Sequence, residues 1–211
     1  MADYDGDGDP DSYVTRYGRN MHWRNDHGRF ADVTEQAGVG CSLWSLGAAF
    51  LDYDRDGGLD LFVKLGGATP GDQASNALFK NLGHGRHWLK VKLVGTKTNR
   101  AALGSRIQFD RKVADNSTIS IYRTVGNNSS FGGNSLVETF GLLDATRVTQ
   151  LTVSWPTSKT TQASRDLKVD QASEITEGSD TFKIIPWAAV KAAQRQPAKL
   201  REEFADFLFT A

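Results

Sequence analysis

The sequence has little of what several common classes of site require. Cys41 is a single cysteine among 211 residues, which excludes an internal disulfide and a cysteine-rich zinc or iron–sulfur site. We expect this cysteine to be a small buried residue rather than a nucleophile. No run approaches the roughly 18 apolar residues of a membrane-spanning helix, and no apolar stretch after Met1 has the pattern of a signal peptide.

An excess of charge of one sign is also missing. Basic and acidic residues number 25 each, so no net field favours nucleic acid or an anionic membrane. Hydrophobic residues at 39% and charged residues at 24% are typical of a soluble globular chain of one or two domains. The middle of the chain is mildly basic, and we interpret it as a solvated strand face: Lys90, Lys92, Lys97, Arg100, Arg106, Arg111 and Lys112.

Motifs of common enzymes are absent as well. The chain has no Gly-x-Ser-x-Gly elbow, no His-Glu-x-x-His zinc motif, no Walker loop and no dinucleotide fingerprint. Ser129 and Ser130 lie in a turn rich in Gly and Asn, without a base nearby in sequence. We therefore expect no catalytic residues and no organic cofactor, and the chain is predicted not to be an enzyme.

Four aspartates crowd one stretch that has hydrophobic residues on both sides. Asp52, Asp54 and Asp56 occupy every second position. Gly57 follows the third aspartate, and the fourth is Asp60. Carboxylates this close repel one another unless a cation lies between them. Ca²⁺ binds about six to eight oxygens, which suits side chains at loop positions 1, 3 and 5, a backbone carbonyl and a late acid. The predicted ligands are Asp52, Asp54, Asp56, the carbonyl of Gly58, and Asp60.

A second stretch, near the start of the chain, has the same pattern 49 residues earlier. Its predicted calcium ligands are Asp3, Asp5, Asp7, the carbonyl of Asp9, and Asp11. Residues 20–25 and 76–81 form another repeat, Asn-x-x-x-x-Asn. A shared period of about 50 residues is typical of a β-propeller or a similar array. The alternative for both stretches is a solvated acidic loop.

An EF-hand also has acids at positions 1, 3 and 5, but it requires flanking helices and a glutamate at position 12. Val63 occupies that position in a strand-like run, so we reject the EF-hand.

Residues 1–86 instead resemble the calcium-binding FG-GAP/VCBS repeats of integrin-like β-propellers, and residues 28–39 carry their blade pattern. The resemblance implies Ca²⁺ held between two strands of a blade. The strand that should precede the first loop is missing, and two blades cannot close a ring of about four to eight. We therefore expect a fragment of a longer protein, or another element that covers the open blade edges.

From residue 87 the chain consists of short strand-like segments separated by turns. Residues 87–94 alternate between apolar and polar, as in a half-buried strand. Further candidates are residues 105–110, 118–125, 136–141, 150–155 and 160–165. This spacing predicts a small β-sandwich or barrel. His84 and His87 have no third ligand nearby, so a metal pair is not expected there.

This second block resembles the ASPIC/UnbV domain, which commonly follows such repeats. Five pieces occur in the family's order: residues 87–91, 99–107, 140–148, 151–156 and 175–178. Leu143 stands where the family usually has glycine. Asn99 and Arg100 either bind an anionic or sugar ligand, or Arg100 braces Glu138 or Asp144, and we favour the brace. The family occurs in secreted cartilage-acidic-like proteins and beside bacterial enediyne biosynthesis genes, so the resemblance implies a fold rather than a reaction.

The last thirty residues lie outside both resemblances and are predicted to be helical. One helix is expected from Trp187 to Gln196, and Pro197 suits the first turn of a second helix over residues 198–209. The second helix has an apolar face formed by Leu200, Phe204, Phe207 and Leu208. This face either packs on its own domain or docks a partner protein.

Together these patterns predict a mainly β protein of three parts. The parts are an incomplete propeller of FG-GAP/VCBS-like repeats at residues 1–86, an ASPIC/UnbV-like β-domain at 87–181 and a helical tail at 182–211. We expect a non-enzymatic, calcium-binding structural or interaction protein of an extracellular, periplasmic or cell-surface assembly, where millimolar Ca²⁺ saturates weak sites. A protein partner would bind the tail helix or an open blade edge.

Two other functions stay open. A carbohydrate-binding module would use exposed aromatic side chains beside Asn127, Asn128 and Asn134. An accessory role in enediyne-type biosynthesis rests on the family neighbourhood alone.

Overall fold

The computed structural model describes residues 1–67, 71, 74–112, 118–126 and 133–190. Regular structure in those ranges is almost entirely β, as predicted. The strands form several small sheets rather than one large one.

Two three-stranded antiparallel sheets form the N-terminal part. The first has the order β1 (Ser12–Val14), β2 (Met21–Asp26) and β3 (Arg29–Asp32), and a one-turn helix, α1 (Thr34–Ala37), follows it. The second has the order β4 (Ser45–Leu51), β5 (Asp60–Leu65) and β6 (Ala77–Phe79). Each aspartate-rich stretch leads into a strand of its own sheet, β1 in the first copy and β5 in the second.

The strand that should precede the first loop is reduced to one bridge. The Ala2 amide donates to the Asp11 carbonyl at 3.0 Å, and the Asp11 amide donates to the Ala2 carbonyl at 2.8 Å. In the second copy the full strand β4 occupies this place and pairs with β5 along its length. The first sheet therefore has only a bridge where the second has β4, and it gains β3 on its other side.

The N-terminal part has a small hydrophobic core beneath the second sheet. Its buried members are Val39, Phe50, Leu61, Val63 and Leu65. Cys41 packs against this cluster but is only half-buried, so its predicted burial is partial.

Two four-stranded sheets form the C-terminal part. One has the order β10 (Glu138–Leu143), β7 (His87–Val94), β13 (Gln171–Thr176), β14 (Phe182–Ile185), and the other has the order β12 (Thr161–Lys168), β11 (Arg147–Ser154), β8 (Arg106–Lys112), β9 (Thr118–Thr124). Buried side chains of both sheets belong to one hydrophobic cluster, which includes Phe109, Phe140 and Trp155. The predicted β character of this part is confirmed, and one pair, β13 with β7, is parallel.

The predicted helical tail is wrong where the structure can test it. Phe182–Ile185 form strand β14, which pairs antiparallel with β13 and is the edge strand of that sheet. Residues 186–190 follow with no regular secondary structure. The second predicted helix, with Leu200, Phe204, Phe207 and Leu208, lies outside the described residues. Within the described part of the chain, no helix has the length and apolar character needed to cross a membrane.

Candidate metal centres

Each aspartate-rich stretch brings three carboxylates around one small volume. One oxygen from each member of a triad lies within 4.8 Å of the others, and the triads are Asp3, Asp5 and Asp11, and Asp52, Asp54 and Asp60. Two oxygens on opposite sides of a Ca²⁺ ion, each at ~2.4 Å, are separated by about the same distance. We call these stretches the first loop (residues 3–11) and the second loop (residues 52–60).

The last aspartate of each loop is held in the same way in both copies. Backbone amides donate to it at 2.9–3.0 Å: Tyr4 and Asn25 to Asp11, and Tyr53 and Asn81 to Asp60. The two asparagines are the final residues of the Asn-x-x-x-x-Asn repeat noted in the sequence. The last asparagine of each Asn-x-x-x-x-Asn stretch thus supplies a backbone amide that orients the last carboxylate of its loop.

The first aspartate of each loop leaves one oxygen without a partner. Oδ2 of Asp3 accepts a hydrogen bond from the Gly8 amide at 3.0 Å, and Oδ2 of Asp52 accepts one from the Gly57 amide at 3.2 Å. Both side chains are almost fully buried, at 0% and 2% exposure. Oδ1 of each is buried with no hydrogen-bond partner among the described residues. An unpaired buried carboxylate oxygen is unfavourable, so this atom suits a cation ligand.

Burial also disfavours the charged forms of these acids. Desolvation raises the pKa of Asp3 to about 6, that of Asp11 to about 7 and that of Asp60 to about 6, against the opposing effect of the amides that bind them. A nearby divalent cation reverses this preference because it stabilises carboxylates in the charged state. Three candidate oxygen ligands per loop, all from carboxylates, would suit a hard cation such as Ca²⁺.

The other predicted ligands stand apart from the two triads. Oδ1 of Asp7 accepts from the Asp9 amide at 2.8 Å, and Oδ1 of Asp56 accepts from the Gly58 amide at 2.9 Å. The Asp9 carboxylate accepts from the backbone and ring of His27, at 2.9 and 2.8 Å. The ligand roles of Asp7 and Asp56, and of the carbonyls of Asp9 and Gly58, stay predictions.

Basic side chains approach both loops, which the sequence analysis did not anticipate. Lys80 contacts Asp54 and lies 3.6 Å from Asp56, Lys90 lies 3.1 Å from Asp52, Arg86 lies 3.5 Å from Asp5, and Arg123 lies 3.8 Å from Asp3. Three of these four residues come from beyond residue 85. The loops therefore contact the C-terminal part of the chain as well as their own sheets.

Lys90 corrects the prediction of a solvated basic strand face. Its side chain is 1% exposed and donates to Thr139 Oγ1 at 3.1 Å. Burial lowers its pKa, while the neighbouring Asp52 opposes that effect. Lys92, two residues along β7, is exposed as predicted. The alternating pattern of residues 87–94 predicted that Lys90 would be exposed to solvent, but the second loop packs on that face of β7.

The predicted brace involving Arg100 is also wrong. Arg100 is exposed, and no described carboxylate lies within ion-pair distance of it. The turn is stabilised by other bonds, including one from the Leu103 amide to Asn99 Oδ1 at 2.9 Å. Glu138 instead lies near Arg123, and burial raises the pKa of Glu138 to about 7.

Glu177 holds the turn at residues 96–98, which precedes Asn99 and Arg100, in place. Its Oε2 accepts from three consecutive amides, those of Thr96, Lys97 and Thr98, at 2.7–2.8 Å. Its Oε1 accepts from the hydroxyls of Thr98 and Ser158. Burial alone would raise the pKa of Glu177, but these hydrogen bonds lower it to about 2.

Of the three asparagines predicted beside a sugar site, the structure describes Asn134. Asn134 accepts from the Phe50 amide at 2.9 Å and donates to the Met1 carbonyl at 2.7 Å. Its amide therefore joins the two parts of the chain beside a cavity of about 570 Å³. Asn127 and Asn128 lie outside the described residues.

The fold is mainly β, and it contains two matching aspartate clusters that could hold a metal ion. Residues 3–63 match the family model described as "FG-GAP-like repeat", and residues 95–182 match the model described as "ASPIC and UnbV". The chain therefore carries an FG-GAP-like repeat followed by an ASPIC/UnbV domain, and both predicted resemblances are confirmed.

Comparison with solved structures gives a distant similarity. A crystal structure of a candidate cell adhesion protein from Bacteroides ovatus ATCC 8483 aligns with a TM-score of 0.30 and 15% sequence identity. The alignment covers 82% of this chain and 80% of that chain. No curated protein matched the sequence.

Proposed function

We propose that this chain is a non-enzymatic, calcium-binding protein with a structural or interaction role. The observation that carries the proposal is the repeated loop geometry. Each loop gathers three carboxylates and leaves one buried carboxylate oxygen without a hydrogen bond among the described residues. FG-GAP-like repeats typically bind Ca²⁺, which agrees with the oxygen-only ligand set.

Calcium would act here as part of the fold. The ion would be held by Asp3, Asp5 and Asp11 in the first loop, and by the matching triad in the second. It would offset the repulsion between the carboxylates of a loop. Because the unfolded chain does not gather these side chains, the free energy of binding adds to the free energy of unfolding.

A protein partner is proposed at an open sheet edge. β3 is an edge strand of the first sheet, and all four of its residues are exposed. Phe30 on this strand is 49% exposed. An exposed edge offers unpaired backbone groups to an added strand. We propose an extracellular, periplasmic or cell-surface location, because Ca²⁺ there saturates even weak sites.

Thermal unfolding with and without calcium tests this function. At a free Ca²⁺ concentration about 100 times the dissociation constant, each site adds ~2.7 kcal/mol to the free energy of unfolding. For a chain of this size with both sites occupied, we expect a rise in melting temperature of about 10–20 °C relative to excess chelator. Mg²⁺ at the same concentration should give a smaller rise, because it prefers tighter, more hydrated sites.

Paired substitutions make the test specific to the loops. Asp5→Asn combined with Asp54→Asn keeps the hydrogen bonds that each Oδ1 accepts from the Asp7 and Asp56 amides. This double variant should lose most of the calcium-dependent rise. The control is Asp26→Asn, which removes an exposed carboxylate that pairs with Arg24. Equal calcium responses in both variants, or no response in the unmodified protein, would refute the proposal.

A further inference from the structure

The first aspartate of each loop faces two environments at once. Oδ1 of Asp3 and Oδ1 of Asp52 have no hydrogen-bond partner among the described residues. Oδ2 of each accepts from its own loop and also from the C-terminal part of the chain. One carboxylate in each loop therefore lies between the candidate ion position and the β-domain.

At the first loop, the contact is made by the backbone of β10. The Gly141 amide donates to Asp3 Oδ2 at 2.9 Å, and the Leu143 amide donates to the Gly6 carbonyl at 3.2 Å. A β-carbon added at Gly141 would lie 2.3 Å from the carbonyl carbon of Gly6 and 2.5 Å from Asp3 Oδ2. Only a glycine allows β10 to approach the loop this closely. Arg123 adds a hydrogen bond to the first loop at the Gly8 carbonyl, at 3.1 Å.

At the second loop, the contact is made by β7 and by the segment after β14. The Trp187 indole nitrogen donates to Asp52 Oδ2 at 3.0 Å, and Lys90 Nζ lies 3.1 Å from the same oxygen. The Val190 amide donates to the Asp54 carbonyl at 2.6 Å. The Trp187 ring also lies close to two cations, with Lys90 at 5.5 Å and Arg55 at 5.4 Å from its centroid.

We propose that cation binding in the two loops and docking of the C-terminal part are thermodynamically coupled through Asp3 and Asp52. This inference rests on the proposed calcium function. When neutral N–H donors bind Oδ2, they hold the carboxylate in one orientation, which leaves Oδ1 directed away from them. A cation at Oδ1 requires the same orientation. Each event therefore reduces the conformational entropy that the other must remove, and by linkage the effect is reciprocal.

The proposed coupling depends on the neutral N–H donors and not on the basic side chains. Lys90 and Arg123 repel a divalent cation, so removing their charge would change cation affinity for a separate reason. Trp187 and the Gly141 amide have no charge. Substitutions at these two positions therefore test orientation without changing the formal charge beside the loops.

Hydrogen–deuterium exchange on the unmodified protein gives the first test. Ca²⁺ should slow exchange of the Gly141 and Leu143 amides at least ten-fold more than it slows exchange in β12, the far edge strand of the other sheet. That difference separates local docking from a general gain in stability. Equal protection gains in β10 and β12 would contradict the coupling.

Calcium titration by calorimetry gives the second test. Trp187→Phe removes the donor to Asp52 and should weaken one site about ten-fold, while Gly141→Ala should weaken the other by a similar factor. The matched controls are Trp44→Phe, at an exposed tryptophan, and Gly40→Ala, at an exposed glycine. Both controls should retain native affinity at both sites.

The two hypotheses fail in different ways. If the unmodified protein binds no Ca²⁺, the proposed function is wrong. If it binds Ca²⁺ but all four variants share its affinities, and β10 gains no more protection than β12, the coupling is wrong and the calcium function stands. The exchange experiment does not depend on whether Gly141→Ala folds.

Discussion

The α-carbon of Gly57 lies directly against the indole ring of Trp88. A β-carbon at Gly57 would be 2.0 Å from Trp88 Nε1 and 2.4 Å from its Cδ1. The second loop thus packs its glycine on β7, and the contact leaves no room for a methyl group. This relationship joins the second loop to strand β7 through van der Waals contact alone.

Gly57→Ala should therefore destabilise the protein more than a matched glycine substitution does. The control is Gly28→Ala, because Gly28 has a similar φ of 86°, against 98° for Gly57, and nothing lies within 4 Å of its added β-carbon. Backbone strain is common to both variants, and the difference isolates the clash. We expect Gly57→Ala to cost ~1–3 kcal/mol more, as measured by urea unfolding in chelator. Equal losses would show that the Trp88 ring moves freely.

Lys90→Met should destabilise the protein strongly, because it leaves the buried Asp52 carboxylate without its cationic partner. Removing one member of a buried ion pair costs ~3–5 kcal/mol. Lys92→Met is the matched control, since Lys92 lies on the same strand and pairs with Glu174 at the surface. We expect that control to cost less than ~1 kcal/mol. Urea unfolding of both variants measures the difference, and similar costs would argue against a buried pair.

Glu177→Gln should lower the melting temperature markedly, by roughly 5–10 °C. An amide side chain has one accepting oxygen instead of two, so either the three loop amides or the two hydroxyls that bind Glu177 lose their acceptor. Glu174→Gln is the control, because Glu174 makes one surface ion pair with Lys92. Differential scanning calorimetry compares the two. A melting temperature for Glu177→Gln within 1 to 2 °C of the control, by the same rough scale, would contradict this role.

The pH dependence of Glu177 has a definite sign. Its folded pKa of about 2 lies below its ordinary value of 4.5, so the unfolded chain binds the proton first as pH falls. The stability that Glu177 contributes is complete above about pH 4.5 and is lost as pH falls towards 2. The difference in melting temperature between the unmodified protein and Glu177→Gln should be constant from pH 8 to 6 and shrink below pH 4.5. A difference that persists unchanged at pH 3 would contradict the assignment.

The aspartate loops could be predicted from the sequence because their information is local. The alternation and the glycine after the third acid define the loop, and the 49-residue offset confirms it by repetition. The structure places Asp11 and Asp60 in identical hydrogen-bond environments. Strands of the β-domain were likewise visible in the alternation of apolar residues, as for His87–Val94.

What the sequence did not reveal depends on packing between distant segments. Lys90 has the pattern of a solvated residue, but segments distant in the sequence bury it: the second loop, 30 to 38 residues earlier, and Thr139 and Trp187 after it. Glu177 binds amides about 80 residues away, and no local pattern marks an acid for that role. The Ala-rich composition after Trp187 favours a helix, but the start of that segment is not helical, and Trp187 and Val190 donate hydrogen bonds to the second loop instead.

The parallel pairing of β7 with β13 has a consequence for biosynthesis. Leu89 lies opposite Gln171 in this register, so about 80 further residues must leave the ribosome before that side of β7 is covered. At ~5–20 residues per second, the nascent strand waits ~4–16 s for its neighbour. Leu89, Val91 and Leu93 are all buried in the finished protein. Until β13 arrives, the unpaired backbone groups on that edge of β7 are available to chaperones, and to the emerging strands of other copies on the same polysome.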